Sequence, residues 1–298
     1  MTKNFYQQLQ CLDPYQFHVS PYLSPSEMNV IKTRADALPL APIFGIFDTP
    51  AAYIETLDIL IASSREIPHS DEMLERYLWP TIPQNSSLLD IGVGNGMLSY
   101  KAGVHFANVT VVDTEAALLD NVPDFHWVTH TPIRKIHGSI IDCALPEPAY
   151  DMILLGHVMY YIPPNDRGAL IDKLYHHLNP NGKIVILYNE KGERLKMTEH
   201  FGGERFTFDV FEEYILDHFT TVSIWEVKEM LQAQDIHTML HIAGVCLNDA
   251  GAKAEEGKLA EYLKHHYHEA QGYQLSMQQK MLVIQHDEAL QTFDSYPE

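Results

Sequence analysis

Between residues 86 and 190, short β-rich apolar runs alternate with helical segments, the pattern of an α/β fold built on a buried, largely parallel sheet. Strands are predicted at about 87–92, 108–113, 133–137, 150–156 and 182–189, with Phe125-His126-Trp127-Val128 as an additional strand or the true third one. The helix after the fourth strand should start near Asn165-Asp166 and stop at Asn179-Pro180-Asn181-Gly182, which joins a proline and a glycine stop signal. Ahead of this region, residues 1–23 read as aromatic and irregular. Ser24-Pro25-Ser26-Glu27, a capping box with proline at the first helical position, predicts a helix to about Ala37. Thr49-Pro50 opens a second helix in which Tyr53, Leu57, Leu60 and Ser64 share a face, and His69-Ser70-Asp71-Glu72 opens a third running to Trp79. Beyond residue 190 the pattern predicts a helix over Phe208–Phe219 and another capped by Ser223-Ile224-Trp225-Glu226. It then predicts a strand near His237–Val245, a polar helix near 253–269 and a last strand near Lys280–Gln285. The two late strands imply an antiparallel exchange at one edge of the sheet.

The chain accordingly divides into an extension of unassigned role (1–50), a helical cap (51–80), a Rossmann-like core (81–190), a helical lid (191–236) and a part that completes the sheet and adds a C-terminal helix (237–298). Composition adds exclusions. With 298 residues, 46% apolar and 20% charged, the chain is an ordinary soluble globular protein rather than a disordered or fibrous one. It has neither a membrane-spanning apolar stretch nor a signal-peptide core, so a cytoplasmic location is expected. Cys11, Cys143 and Cys246 lie far apart without a CxxC pair, which points to reduced thiols. His176-His177 and the His265-His266-x-His268 group lack partner ligands at metal spacing and read as solvated surface, so no metal is expected. A net charge of −20 without a Lys/Arg cluster disfavours nucleic acid and favours a neutral or cationic small molecule.

The sharpest motif is Leu88-Leu89-Asp90-Ile91-Gly92-Val93-Gly94-Asn95-Gly96, a strand that runs into a glycine-rich turn and then a helix over Met97 to His105. Glycines at alternate positions let a ligand approach the main chain beside a helix N-terminus. The next strand ends at Asp113-Thr114, where a carboxylate can accept hydrogen bonds from both ribose hydroxyls. The dinucleotide template G-x-G-x-x-G fails here by one glycine, because Met97 holds its last position. Gly138-Ser139, Leu145-Pro146 and Tyr150-Asp151-Met152-Ile153-Leu154-Leu155-Gly156-His157 supply a third landmark.

Taken together, Asp90, the G-x-G-x-G turn, Asp113, that landmark and the antiparallel ending resemble the class I S-adenosylmethionine-dependent methyltransferases. The resemblance implies a Rossmann-like three-layer sandwich with a mostly parallel sheet, an antiparallel last strand and a helical cap. The implied cofactor is S-adenosyl-L-methionine, with S-adenosyl-L-homocysteine as product. Asp90, Gly92, Gly94, Gly96, Asp113, Thr114, Gly138, Ser139 and Gly156 would surround it, with either Ser139 or Asp142 at the adenine amino group.

Within that class, residues 50–285 resemble the histamine N-methyltransferase family. The match rests on Tyr53-Ile54-Glu55-Thr56, Ser64-Arg65-Glu66 and His157-Val158-Met159-Tyr160-Tyr161. The resemblance implies a substrate pocket of Tyr53, Glu66, His157, Tyr160 and Tyr161, and within it His157 and Tyr160 are the catalytic candidates on chemical grounds. Arg194 and Thr198 stand nearest the positions of the family's tryptophans, so its flat aromatic clamp is missing. The Asn before the last strand is replaced within Met277-Gln278-Gln279, and Met97 replaces an acidic residue.

Methyl transfer from a sulfonium demands alignment and removal of water more than a dedicated acid or base. The expected activity is therefore in-line methylation of a small molecule, an amine or heteroaromatic nitrogen. His157 would relay the proton and Glu66 orient the acceptor. A small-molecule O-methyltransferase, a non-catalytic S-adenosylmethionine-binding protein and a nicotinamide-dependent reductase are the alternatives, and the oligomeric state is left open.

Overall fold

A computed structural model describes residues 9–12, 20–38, 50–126, 129–145, 150–202, 208–247 and 255–286, with side chains except at 9–12 and 50–53. Among these residues the core alternates as the apolar pattern requires. The first half runs β2 (Ser87–Ile91), α4 (Met97–Ala102), β3 (Asn108–Asp113), α5 (Ala116–Asn121) and β4 (Ile133–His137). β5 (Tyr150–Gly156), α6 (Arg167–His176) and β6 (Leu178–Gly192) follow. After β6 come α7 (Glu193–His200), α8 (Asp209–His218), β7 (Val222–Ala233), α9 (Ile236–Leu247), α10 (Glu256–His266), β8 (His268–Glu269) and β9 (Gly272–Gln285). Three helices precede the core: α1 (Pro25–Asp36), α2 (Pro50–Ala62) and α3 (Glu66–Tyr77).

The strands form one sheet in the order β1-β7-β9-β6-β5-β2-β3-β4, where β1 is Leu9–Leu12 and β8 pairs with β9. Pairing is parallel through β4, β3, β2, β5 and β6, whereas β9 runs antiparallel to both β6 and β7. Successive side chains on a strand face opposite sides, and the two sides carry separate cores. Leu89, Ile91, Ile153, Leu155 and Ile186 pack under α6 and α8, while Leu88, Val111, Leu154 and Leu187 pack under α3, α4 and α5. A third core lies where β7 and β9 extend past their neighbours. There Leu231, Ala233, Leu275 and Met277 meet α1, α2, α9 and α10.

The α/β class, the mostly parallel sheet and the antiparallel last strand match the expectation, and the Ser24 capping box is formed as predicted. Several local expectations are overturned. Ser223 to Glu226 caps no helix; the segment lies in β7, which pairs with β9 from Val222 to Ala233, and that long ladder overrides a four-residue cap motif. His237–Val245 is helix α9 rather than a strand. Its residues are buried nearly all round, which removes the helical period that would have identified it. Its real start signal is Asp235, whose carboxylate accepts from the Thr238 N–H at 2.9 Å.

The third helix begins at Glu66 rather than His69, because Pro68 is tolerated in a first turn. α6 ends at His176, and Asn179 to Gly182 already belong to β6. Strands β6 and β9 run longer than their apolar runs, over Leu178–Gly192 and Gly272–Gln285. Phe125 makes only an isolated bridge to Pro132, and Trp127 and Val128 lie outside the described residues. Residues 9–12 form a strand in a stretch expected to be irregular.

One buried charge cluster stands at the β6, β7 and β9 junction. Lys280, 3% exposed, lies 2.6 Å from Glu190, 2.5 Å from Glu212 and 3.6 Å from Glu226. Burial works to lower the pKa of Lys280, but the neighbouring carboxylates outweigh it and hold it above the ordinary lysine value. Removing one partner of such a cluster strands the other charges away from water. Lys280→Met should therefore cost about 3–5 kcal/mol in chemical denaturation, and an unchanged unfolding midpoint would contradict this assignment.

Candidate functional site

The site grows from the switch in strand order between β2 and β5, where the carboxyl ends of parallel strands open a crevice. β2 ends at Ile91, and the chain turns through Gly92, Gly94 and Gly96, all with positive φ. Gly92 is required on a second count, since a Cβ there would stand 2.2 Å from Val158 Cγ2. The loop after β5 can close over the turn only because that atom is missing. The Gly92 N–H donates to Val112 O, which ties the turn to β3, and the Gly96 N–H to Val93 O, which closes the turn on itself, both at 2.8 Å.

Two carboxylates stand behind the turn. Asp90 is 2% exposed and accepts a hydrogen bond from Ser99 Oγ. Burial, with some help from the nearby Asp113 charge, pushes its pKa up to about 7. Asp113, at the end of β3, accepts from the Glu115 N–H at 2.9 Å. Burial raises its pKa too, although the Glu115, Gly94 and Val93 N–H groups pull the other way. The structure thus brings Asp90, the three glycines and Asp113 together.

Thr114 is exposed, and its carbonyl accepts from His137 Nε2 at 3.0 Å. Gly138 donates to Asp113 O at 2.9 Å, and a Cβ on it would meet nothing within 4 Å, so open space adjoins it. The Ser139 hydroxyl accepts from the Ile141 N–H at 3.2 Å, and Asp142 is exposed on the same turn. Lys173 fixes that turn by donating to the carbonyls of Ile140, Ile141 and Cys143. Gly156 faces α4, where a Cβ would lie 2.8 Å from Leu98 Cδ2.

On the other side of the β5 loop a second group of residues meets. His157 takes φ +58°, unusual for a residue with a side chain, and its N–H donates to Leu187 O at 2.9 Å. Its Nε2 lies 2.7 Å from Glu66 Oε1, a polar contact outside the alignment of a hydrogen bond. The same Oε1 accepts from Asn189 Nδ2 at 3.1 Å and from Gln279 Nε2 at 3.2 Å. Burial alone would raise the pKa of Glu66, but His157, Arg194 and the Asn189 amide outweigh it and hold the carboxyl below the ordinary value.

Tyr160 has its ring 6.2 Å from that of His157 and 5.6 Å from Phe208, and its hydroxyl donates to Asn189 O at 3.1 Å. Burial pushes the Tyr160 pKa up to about 12. Tyr160, Tyr161, Asn189, Glu190, Arg194 and Thr198 line a small cleft, which Lys191, Leu195, Val245 and Cys246 complete. Tyr161 is 61% exposed at its rim. The Tyr53 side chain lies outside the described residues, as does the turn at 204–206.

Asn189, Gln279, Glu190 and Cys246 were not singled out as site residues by the sequence. The usable signal for Asn189-Glu190 was a polar pair directly following the apolar run Ile184 to Tyr188 in one strand. Arg194 and Thr198, noted only as replacements for aromatic residues, both reach the cleft. Gly192 places them, because its φ of +108° and the 2.6 Å from its would-be Cβ to Ser276 O leave room for glycine alone where β6 turns into α7. Among the described residues no three His, Cys, Asp or Glu side chains gather as a metal site, and no helix is long and apolar enough to cross a membrane.

The pH dependence of stability follows from Asp90. Its folded pKa lies above the unfolded carboxylate value, so the native state binds the extra proton between the two and this group's contribution to stability falls as pH rises from about 4 to 7. Asp90→Asn should remove that contribution. The melting temperature of wild type relative to the variant should then decline across this window, and a flat or rising difference would refute the assignment.

The model of a family described as a methyltransferase domain matches residues 70–237. A carboxy-S-adenosyl-L-methionine synthase of Citrobacter koseri is 28% identical over 120 residues, 38% of this chain and 46% of that protein. The chain thus spans about half the length of the curated relatives it matches. Two solved structures share the fold, each over 74% of this chain and 99% of the other. One is the YcgJ protein of Bacillus subtilis, at TM-score 0.55 and 12% identity. The other is a Bacillus halodurans protein assigned to the methyltransferases, at TM-score 0.53 and 9% identity.

Proposed function

This chain belongs to the methyltransferase-domain family, and we propose that it methylates a nitrogen of a small amine or heteroaromatic acceptor, with S-adenosyl-L-methionine as donor. The family sets it among S-adenosylmethionine-dependent enzymes rather than nicotinamide-dependent reductases. The residues present fit that nucleoside. The turn of positive-φ glycines exposes its backbone, Asp113 supplies a carboxylate at the end of the next strand, and open space adjoins Gly138. On this reading Gly92, Gly94 and Gly96 pass around the methionyl end, Asp113 holds the ribose, and Gly138, Ser139 and Gly156 border the adenine. Bound there, S-adenosylmethionine supplies an electrophilic sulfonium methyl group.

One observation carries the acceptor assignment: a continuous path of contacts from the glycine turn to the cleft. Val158 packs on Gly92, His157 follows it in the chain, and Glu66 joins His157 to Asn189, which lines the cleft. Glu66 Oε1 is taken by three neighbours, whereas Oε2 has no partner among the described residues and is available to an acceptor N–H. With its pKa held low, Glu66 stays ionised and favours a cationic or N–H-bearing group. His157 lies within reach of that group and is the relay for the proton that a protonated amine must lose before it attacks. Tyr160 presents an aromatic face, worth about 0.5–2 kcal/mol to a cationic centre.

Asp113→Ala should weaken S-adenosylmethionine binding at least roughly tenfold in calorimetry, since charge-assisted hydrogen bonds of about 1.5–3 kcal/mol each are lost. Wild-type affinity would displace the nucleoside from this crevice. His157→Ala should lower turnover about a hundredfold with little change in donor affinity, the size expected for loss of a positioned base. Unchanged turnover would reject the relay.

A further inference from the structure

The cleft is cationic where the protein as a whole is strongly acidic. The chain carries 40 acidic against 20 basic side chains, yet the charged residues lining the cleft are Lys191, Arg194 and Glu190. Glu190 is already compensated, with Lys280 at 2.6 Å and Lys191 at 3.6 Å. Arg194 forms no ion pair among the described residues. Its guanidinium lies over the Tyr160 ring at 5.7 Å, beside Tyr160 and Cys246. A forked, permanently charged donor on a cleft wall, with no carboxylate within ion-pair distance among the described residues, suits a planar anion from outside.

Resting on the reading above that the acceptor nitrogen lies at Glu66, we infer that the acceptor is a zwitterion whose carboxylate pairs with Arg194, as in an amino acid or another amine-bearing acid. Glu66 holds the cleft-lining Asn189 at 3.1 Å and His157 at 2.7 Å, the His157 ring stacks on Tyr160, and Arg194 lies over Tyr160, so one molecule can meet both charges only if its own opposite charges lie a few bonds apart. An amino acid has that separation, and a simple amine has nothing to offer Arg194. The two sites divide the work: Glu66 selects the nitrogen end, and Arg194 selects the acid end and aims the nitrogen towards His157. The overall acidity of the protein does not oppose such an acceptor, because a zwitterion carries no net charge.

The test uses matched pairs that differ only in the carboxylate: histidine with histamine, tyrosine with tyramine, and β-alanine with ethylamine. Each is titrated calorimetrically into the full-length protein saturated with S-adenosylhomocysteine. In at least one pair the acid should bind tenfold or more tighter than its amine. Arg194→Gln should abolish that preference and Arg194→Lys restore part of it, with S-adenosylhomocysteine affinity unchanged in both. Amines binding as tightly as their acids in every pair, no probe binding at all, or a preference that survives in Arg194→Gln would each overturn the inference. Failure of the wild-type protein to bind S-adenosylhomocysteine would instead strike the functional reading beneath it, so the two failures are told apart.

Discussion

The architecture of the site depends on one oxygen atom. Glu66 Oε1 receives Asn189 from β6, Gln279 from β9 and the His157 ring from the loop after β5, and Glu66 itself sits in the first turn of α3. Burying a carboxylate is costly unless donors replace water, and here each donor comes from a different element. Asn189 and Gln279 are register partners across the antiparallel ladder, so both amides reach the same acceptor only while that ladder keeps its alignment. Gln279 also bonds to Ser70, one helical turn beyond Glu66, which fixes α3 against the sheet by a second contact. The acceptor side of the cleft is therefore as rigid as the β6–β9 pairing.

That dependence explains what the sequence could and could not disclose. The glycine turn, Asp90 and Asp113 are local chemistry: their spacing along the chain is nearly their spacing in space, and strand ends announce them. Five core strands were legible because short apolar runs flanked by turn residues have few other uses. Asn189 and Gln279 are separated by a long stretch of chain and meet only through strand register, which no local pattern encodes. β7 and α9 were exchanged for a related reason. A helix buried on every side and a strand with a misleading cap both lose the periodicity by which elements are told apart. Glu66 is visible as a motif residue, yet the helix it starts begins three residues ahead of the His69-Ser70-Asp71-Glu72 signal.

Bulk charge does not describe the cleft. Net charge describes the field far from the surface, whereas a cleft feels the few groups that line it and whatever already neutralises them. The strands that deliver Glu190 to the cleft wall also deliver Lys280 beneath it, so the acidic residue is compensated from inside the protein. What remains facing the cleft is set by Gly192, whose backbone allows α7 to start where it does and so carries Arg194 and Thr198 to the wall. Positions that look like the loss of an aromatic clamp are thus also the gain of a guanidinium.

The two halves of the site are coupled through a single dipeptide. Val158 occupies the space above Gly92, and His157 turns through a left-handed conformation that costs an L-residue about 1–2 kcal/mol. Such strain persists only where the surroundings over-determine it. Here the His157 N–H is bound to Leu187 O, its ring is held against Glu66, and the next side chain is locked over the glycine turn. Relaxing His157 to an ordinary backbone angle would lift Val158 from Gly92 and swing the imidazole away from Glu66 together. The geometry that opens the glycine turn to a nucleoside is consequently the geometry that aims His157 at the cleft, and neither half can be rebuilt independently of the other.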